Sequence, residues 1–62
     1  MTNDQQIHTL LTAAYFGGLT ISKLAEAGLV ADPVNRQIIL DSFPRIISDY
    51  GPDSELYSEA LG

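Results

Sequence analysis

Asp32-Pro33-Val34-Asn35-Arg36-Gln37-Ile38-Ile39-Leu40-Asp41-Ser42-Phe43-Pro44-Arg45-Ile46-Ile47-Ser48-Asp49-Tyr50-Gly51-Pro52 is the stretch on which the fold turns. Asp32 reads as a helix N-cap, and Pro33 occupies the first helical position, where its missing N–H costs nothing. Ile39, Phe43, Ile46, Ile47 and Tyr50 then keep helical spacing as far as the Gly51-Pro52 stop. Pro44 conflicts with that stripe, because it lacks the N–H for the Leu40 carbonyl and clashes with it. Two readings follow: one helix over 33–50 kinked at Pro44, or two helices meeting near Ser42-Phe43. The unbroken stripe favours the kink. Asp32–Arg36 and Asp41–Arg45 would be i,i+4 ion pairs worth about 0.3 kcal/mol each.

The same punctuation organises the rest of the chain. Gly17-Gly18, Asp32-Pro33 and Gly51-Pro52 cut it into four segments of helical period. In the first, Ile7, Leu10, Leu11, Ala14 and Tyr15 form one stripe, Thr2 and Gln5 fit a capping box, and Gly17 suits a left-handed helix end. In the second, Ile21, Leu24, Ala25 and Gly28 share a face, Thr20 reads as the N-cap, and Leu19 with Leu24 reads as a hydrophobic staple. In the last, Asp53 or Ser54 caps a short helix whose apolar face is Leu56, Tyr57, Ala60 and Leu61. The expected fold is therefore all-α. It is a small bundle of three to four short helices, near 3–16, 20–30, 33–50 and 54–61, in a single domain over 1–62. It opens with an antiparallel αα-hairpin, because the Gly17-Gly18 connection is short.

Composition narrows the function. The chain has 62 residues, 45% of them apolar, with no Cys and one His, and carries 3 basic against 8 acidic side chains, a net charge of −5. The acid excess is concentrated in residues 32–62, where six carboxylates face only Arg36 and Arg45. That half would repel nucleic acid. A chain this short usually needs a staple, and without Cys a disulfide is impossible. Oligomerisation is the staple that remains. Met1 to Gln6 offer no basic region of the kind a secretory signal needs, and no apolar run is long enough to span a membrane. A cytoplasmic location is expected, as for many small bacterial, plasmid and phage accessory proteins.

Little catalytic chemistry is present. His8 lies off the first stripe and reads as a solvent-facing polar residue rather than a general base, which would need a nucleophile and an orienting acid beside it. A helical layer this small is expected to leave little room for a pocket. Gly17-Gly18 lacks the Lys-Ser/Thr of a phosphate loop. Asp49, Asp53 and Glu55 flank one turn, but their spacing does not match a calcium-binding loop. No metal and no cofactor are expected, and the chain reads as non-enzymatic.

Leu19-Thr20-Ile21-Ser22-Lys23-Leu24-Ala25-Glu26-Ala27-Gly28-Leu29 resembles the first helix and turn of helix-turn-helix regulators. Those commonly read Leu-Ala, three residues, then Gly and an apolar residue; here two residues separate Ala25 from Gly28. The resemblance covers eleven of the 62 residues. It implies a DNA-binding regulator whose recognition helix begins at Pro33, with Lys23, Asn35, Arg36 and Gln37 facing nucleic acid.

The leading reading is a different one. On a continuous helix, the apolar arc from Ile38 through Tyr50 and Phe43 to Leu40 spans about 200°, twice the usual ~100° stripe. The flank of Leu40, Pro44 and Ile47, with Phe43 and Tyr50 beside it, should then be exposed. Such patches mark interaction sites; the alternative is a helix central to the fold and covered by the other three, and the shortness of the chain favours self-association. The chain is thus expected to be a homodimer that binds or regulates a larger protein through this surface.

Overall fold

The computed structural model describes residues 1–61. It contains five helices: α1 (Asn3–Phe16), α2 (Leu19–Val30), α3 (Pro33–Ser42), α4 (Pro44–Tyr50) and α5 (Glu55–Leu61). α1 packs against α2, α4 and α5, while α3 bridges α2 and α4. The first two helices form an antiparallel hairpin. Ser22 Oγ of α2 donates to the Ala14 carbonyl of α1 at 2.9 Å, and farther from the turn Gly28 lies against the Leu10 side chain.

Three helix starts follow from local chemistry. The Thr2 hydroxyl accepts from the Gln5 N–H at 3.1 Å, and Gln5 Oε1 accepts from the Thr2 N–H at 2.9 Å, which closes the capping box. Asp32 caps α3 by accepting from the Asn35 N–H at 3.3 Å. Hydrogen bonds from the Asn35 side chain and backbone hold the Asp32 carboxyl below its ordinary range. Ser54 Oγ accepts from the Tyr57 N–H at 3.2 Å and so caps α5.

Other local expectations are corrected. α2 begins at Leu19 with Gly18 as N-cap, so Thr20 lies inside the helix. Leu19 is 78% exposed and staples nothing. Gly17 ends α1 in extended backbone, φ −70° and ψ 158°, rather than left-handed. Glycine is required there for space: a Cβ would sit 2.5 Å from the Ala13 carbonyl oxygen and 2.7 Å from Ile21 Cγ2. The Leu61 side chain, expected on the apolar face of the last helix, lies outside the described part of the chain.

The main correction is at Pro44. The chain does not run on as a kinked helix; it breaks. Phe43 leaves the helical region, with φ −125° and ψ 71°, as a residue before proline tends to do. Its N–H donates to Ile39 and closes α3, and its carbonyl accepts from Ile46 and opens α4. Pro44 occupies the first turn of α4, where the absent N–H is harmless. Pro44→Ala should therefore lower stability slightly, by about 0.5–1 kcal/mol, because the unfolded chain gains freedom. A lower urea midpoint checks this, whereas a kinked helix would answer with a higher one.

The core consists of Leu10, Ala13, Ala25, Leu40 and Ile46, with Ala14, Ile21, Leu24, Leu29, Ile39 and Tyr50 packed against it. The buried line of α1 is Thr9, Leu10, Thr12 and Ala13, rotated from the expected stripe; Leu11 and Tyr15 are 53% and 82% exposed. Small Thr and Ala side chains let several helices approach α1 at once. The Thr12 hydroxyl donates to the His8 carbonyl at 2.8 Å. The Thr9 hydroxyl is buried with no partner. Thr9→Val keeps the side-chain shape and removes that unpaired group, so it should stabilise by about 1 kcal/mol. Thermal unfolding should move up by roughly 4–8 °C.

Candidate interaction surfaces

The cationic groups decide what the surface can attract. Arg36 is only 8% exposed. Its Nε donates to the Gly28 carbonyl at 2.9 Å, and its terminal nitrogens donate to Leu29 and Ala31 carbonyls and to Asn3 Oδ1 at 3.2–3.3 Å. These carbonyls belong to the C-terminal turn of α2, where a cation meets both orphan acceptors and the negative end of the helix dipole. Lys23 and Arg45 are exposed, beside Glu26 at 3.4 Å and Asp49 at 3.7 Å. The expected Asp32–Arg36 and Asp41–Arg45 pairs are not formed, because Arg36 turns to α2 and the helix breaks between Asp41 and Arg45.

The residues of the helix-turn-helix resemblance are therefore not gathered on one free face. Arg36 is buried, contrary to its expected place on a nucleic-acid surface. Gln37 accepts from Gln6 at 3.0 Å and donates to Asp41 at 2.9 Å, and the Asn35 amide bonds back to Asp32. Lys23 remains exposed on α2 beside Glu26.

The apolar flank also changes composition. Leu40 is 1% exposed and belongs to the core, which corrects its expected place at an interface. Tyr50 is half-buried against the same core. Phe43, Pro44 and Ile47 do reach the surface, with Phe43 and Ile47 at 40% and 37% exposure. They form a short strip over the break and the first turn of α4. A second apolar line, Val34 and Ile38 on the outer side of α3, follows Val30 at the end of α2.

A third feature escaped sequence reasoning. His8 does not face solvent alone. Its ring lies 4.1 Å from the Tyr57 ring, tilted by 46°. Its Nε2 donates to the Tyr57 carbonyl at 3.1 Å, which places a proton on Nε2 because a carbonyl only accepts. His8 thus seats α5 on α1. Beside that contact lies an open groove of about 460 Å³, lined by His8, Leu11, Tyr15 and Phe16 of α1 and Glu59 and Ala60 of α5. The Tyr15 and Phe16 rings meet edge-to-face at 4.8 Å. The expectation of little pocket volume fails here because α5 docks along α1 and walls off one side.

Among the described residues no cluster of His, Asp or Glu is placed to hold a metal ion. No helix among them is long and apolar enough to cross a membrane. The chain matches no protein-family model, no curated protein and no solved structure.

Proposed function

We propose that this chain is a non-enzymatic protein-interaction module that pairs with a second copy through Phe43, Pro44 and Ile47 and binds a larger protein through its remaining apolar surface. The observation that carries this reading is the exposure of large apolar side chains. Ten of them stand 37–87% exposed among the described residues. Scattered singly they would mean little, but Leu11, Tyr15 and Phe16 line one groove and Val34 and Ile38 lie one turn apart on α3, as side chains of interaction sites do. The size of the chain supports self-association, since so small a core gains from a partner.

The oligomeric state tests the pairing. Light scattering at about 100 µM should give twice the 6.7 kDa of one chain, and the thermal midpoint should rise with concentration. Phe43→Glu should return the mass to one chain, because a carboxylate buried without a partner is costly. Phe43 suits this test and Leu40 does not, since a charge at Leu40 would disrupt the core of each chain. A wild-type mass of 6.7 kDa would reject the pairing.

A further inference from the structure

We propose that the groove between α1 and α5 receives a basic segment of a partner protein. In this reading an apolar side chain of the segment packs on Leu11 and Phe16. A neighbouring Lys or Arg lies against the Tyr15 ring and beside the Glu59 carboxylate. This rests on the broader reading that the chain acts by binding proteins, but not on its pairing with itself. The apolar part follows from the lining: Leu11, Tyr15 and Phe16 are 53%, 82% and 38% exposed, and the groove is large enough for two or three side chains of a segment laid along it.

The cationic part follows from charge. Among the described lining residues Glu59 supplies the one acidic side chain, and among the described residues no Lys or Arg pairs with it. α1 ends at Phe16 with no basic residue in its last turn, so the negative end of its dipole faces the same region. An exposed aromatic ring adjoining a carboxylate suits a Lys or Arg head group. None of the three basic side chains of the chain reaches this place. Arg36 is buried at the end of α2, and Lys23 and Arg45 stand beside Glu26 and Asp49. A second copy, itself at −5, would meet net repulsion at an acidic groove, so charge complementarity favours a foreign basic segment as the occupant. An acidic peptide or nucleic acid would be repelled by the same groups.

The test uses the full chain and a defined probe. The probe is an amphipathic peptide of about 14 Leu and Lys residues with one Trp; the control carries Glu in place of Lys. Because the protein has no Trp, probe fluorescence reports binding, and amide chemical shifts locate it. The Lys peptide should bind and the Glu peptide should not, with shifts concentrated at Leu11, Tyr15, Phe16, Glu59 and Ala60. Glu59→Gln and Tyr15→Ser should each weaken binding about three- to tenfold. Asp41→Asn, remote on α3, should change it by less than about twofold. Equal losses at Asp41 and Glu59 would mean diffuse attraction to an acidic surface and would overturn the proposal. So would binding of the Glu peptide, shifts centred on Phe43 and Ile47, or no binding at about 1 mM. Groove shifts that grow with protein concentration alone would give the groove to a second copy and overturn it as well. Peptide binding that persists in Phe43→Glu, whatever its mass, separates this proposal from the fate of the pairing.

Discussion

Arg36→Met should cost about 3–5 kcal/mol, against a total of roughly 3–9 kcal/mol for a chain of this length. The variant should be largely unfolded at room temperature or show a thermal midpoint lower by more than about 15 °C. The reason lies in the acceptors left behind. Carbonyls of Gly28, Leu29 and Ala31 all receive hydrogen bonds from one guanidinium, and they remain in the chain whatever replaces Arg36. Methionine fills the volume of the stem but donates nothing. The Gly28 carbonyl keeps a long bond from the Ala31 N–H at 3.4 Å, while the partly buried Leu29 and Ala31 carbonyls lose this donor. An acceptor left without a donor costs more than the net value of the bond it lost. The guanidinium also reaches Asn3 at the start of α1, so its removal loosens three helices together. Arg36→Lys should recover less than half of the loss, since one ammonium cannot span several carbonyls as a planar fork does. Urea midpoints of the three proteins measure this. A Met variant within about 1 kcal/mol of the parent would show that the carbonyls find water at no cost.

Arg36 also shows where sequence reasoning ends. As an i+4 neighbour of Asp32 it suggests a surface ion pair. Asp32, however, is occupied by capping α3 through Asn35, and α2 ends without a basic residue of its own. That unsatisfied C-terminus was the available signal, but its reader lies in another helix. The capping box at Thr2, the Asp32-Pro33 start and the Ser54 cap were legible because each is closed within three or four residues. The choice at Pro44 was not, because an apolar stripe at helical spacing is compatible with either outcome. Burial decides it. Leu40 and Ile46 enter the same core, yet on a continuous helix they would lie about 120° apart at ~100° per residue. The break lets α3 and α4 turn independently, and the same turning removes Leu40 from the surface and leaves Phe43, Pro44 and Ile47 there. The groove was illegible for a further reason. His8 and Tyr57 stand 49 residues apart, and no local pattern marks one as the seat of the other.

The close contact of Leu10 on α1 with Gly28 on α2 carries the second large effect. Leu10 is 0% exposed and lies over Gly28, where an added Cβ would meet both of its methyl groups at 3.1 Å. Leu10→Ala should destabilise by about 3–4 kcal/mol, through lost transfer energy and a cavity that a tightly crossed helix pair cannot close. Gly28→Ala alone gains about 1 kcal/mol of helix propensity and loses about 1–3 kcal/mol to overpacking against Leu10, so it should be neutral to destabilising. With Leu10 shortened, the obstruction is gone. The new methyl then enters the vacated space, keeps the propensity gain and fills part of the cavity. Gly28→Ala should therefore stabilise the Leu10→Ala protein, giving a coupling of about 1–2 kcal/mol between the two sites. Urea unfolding of the four proteins closes the cycle, with sucrose present equally in all samples to keep the weakest one folded. Effects that add to within about 0.5 kcal/mol would mean that Leu10 moves aside freely, and the Gly28 crossing would then not be what holds the hairpin at its present distance.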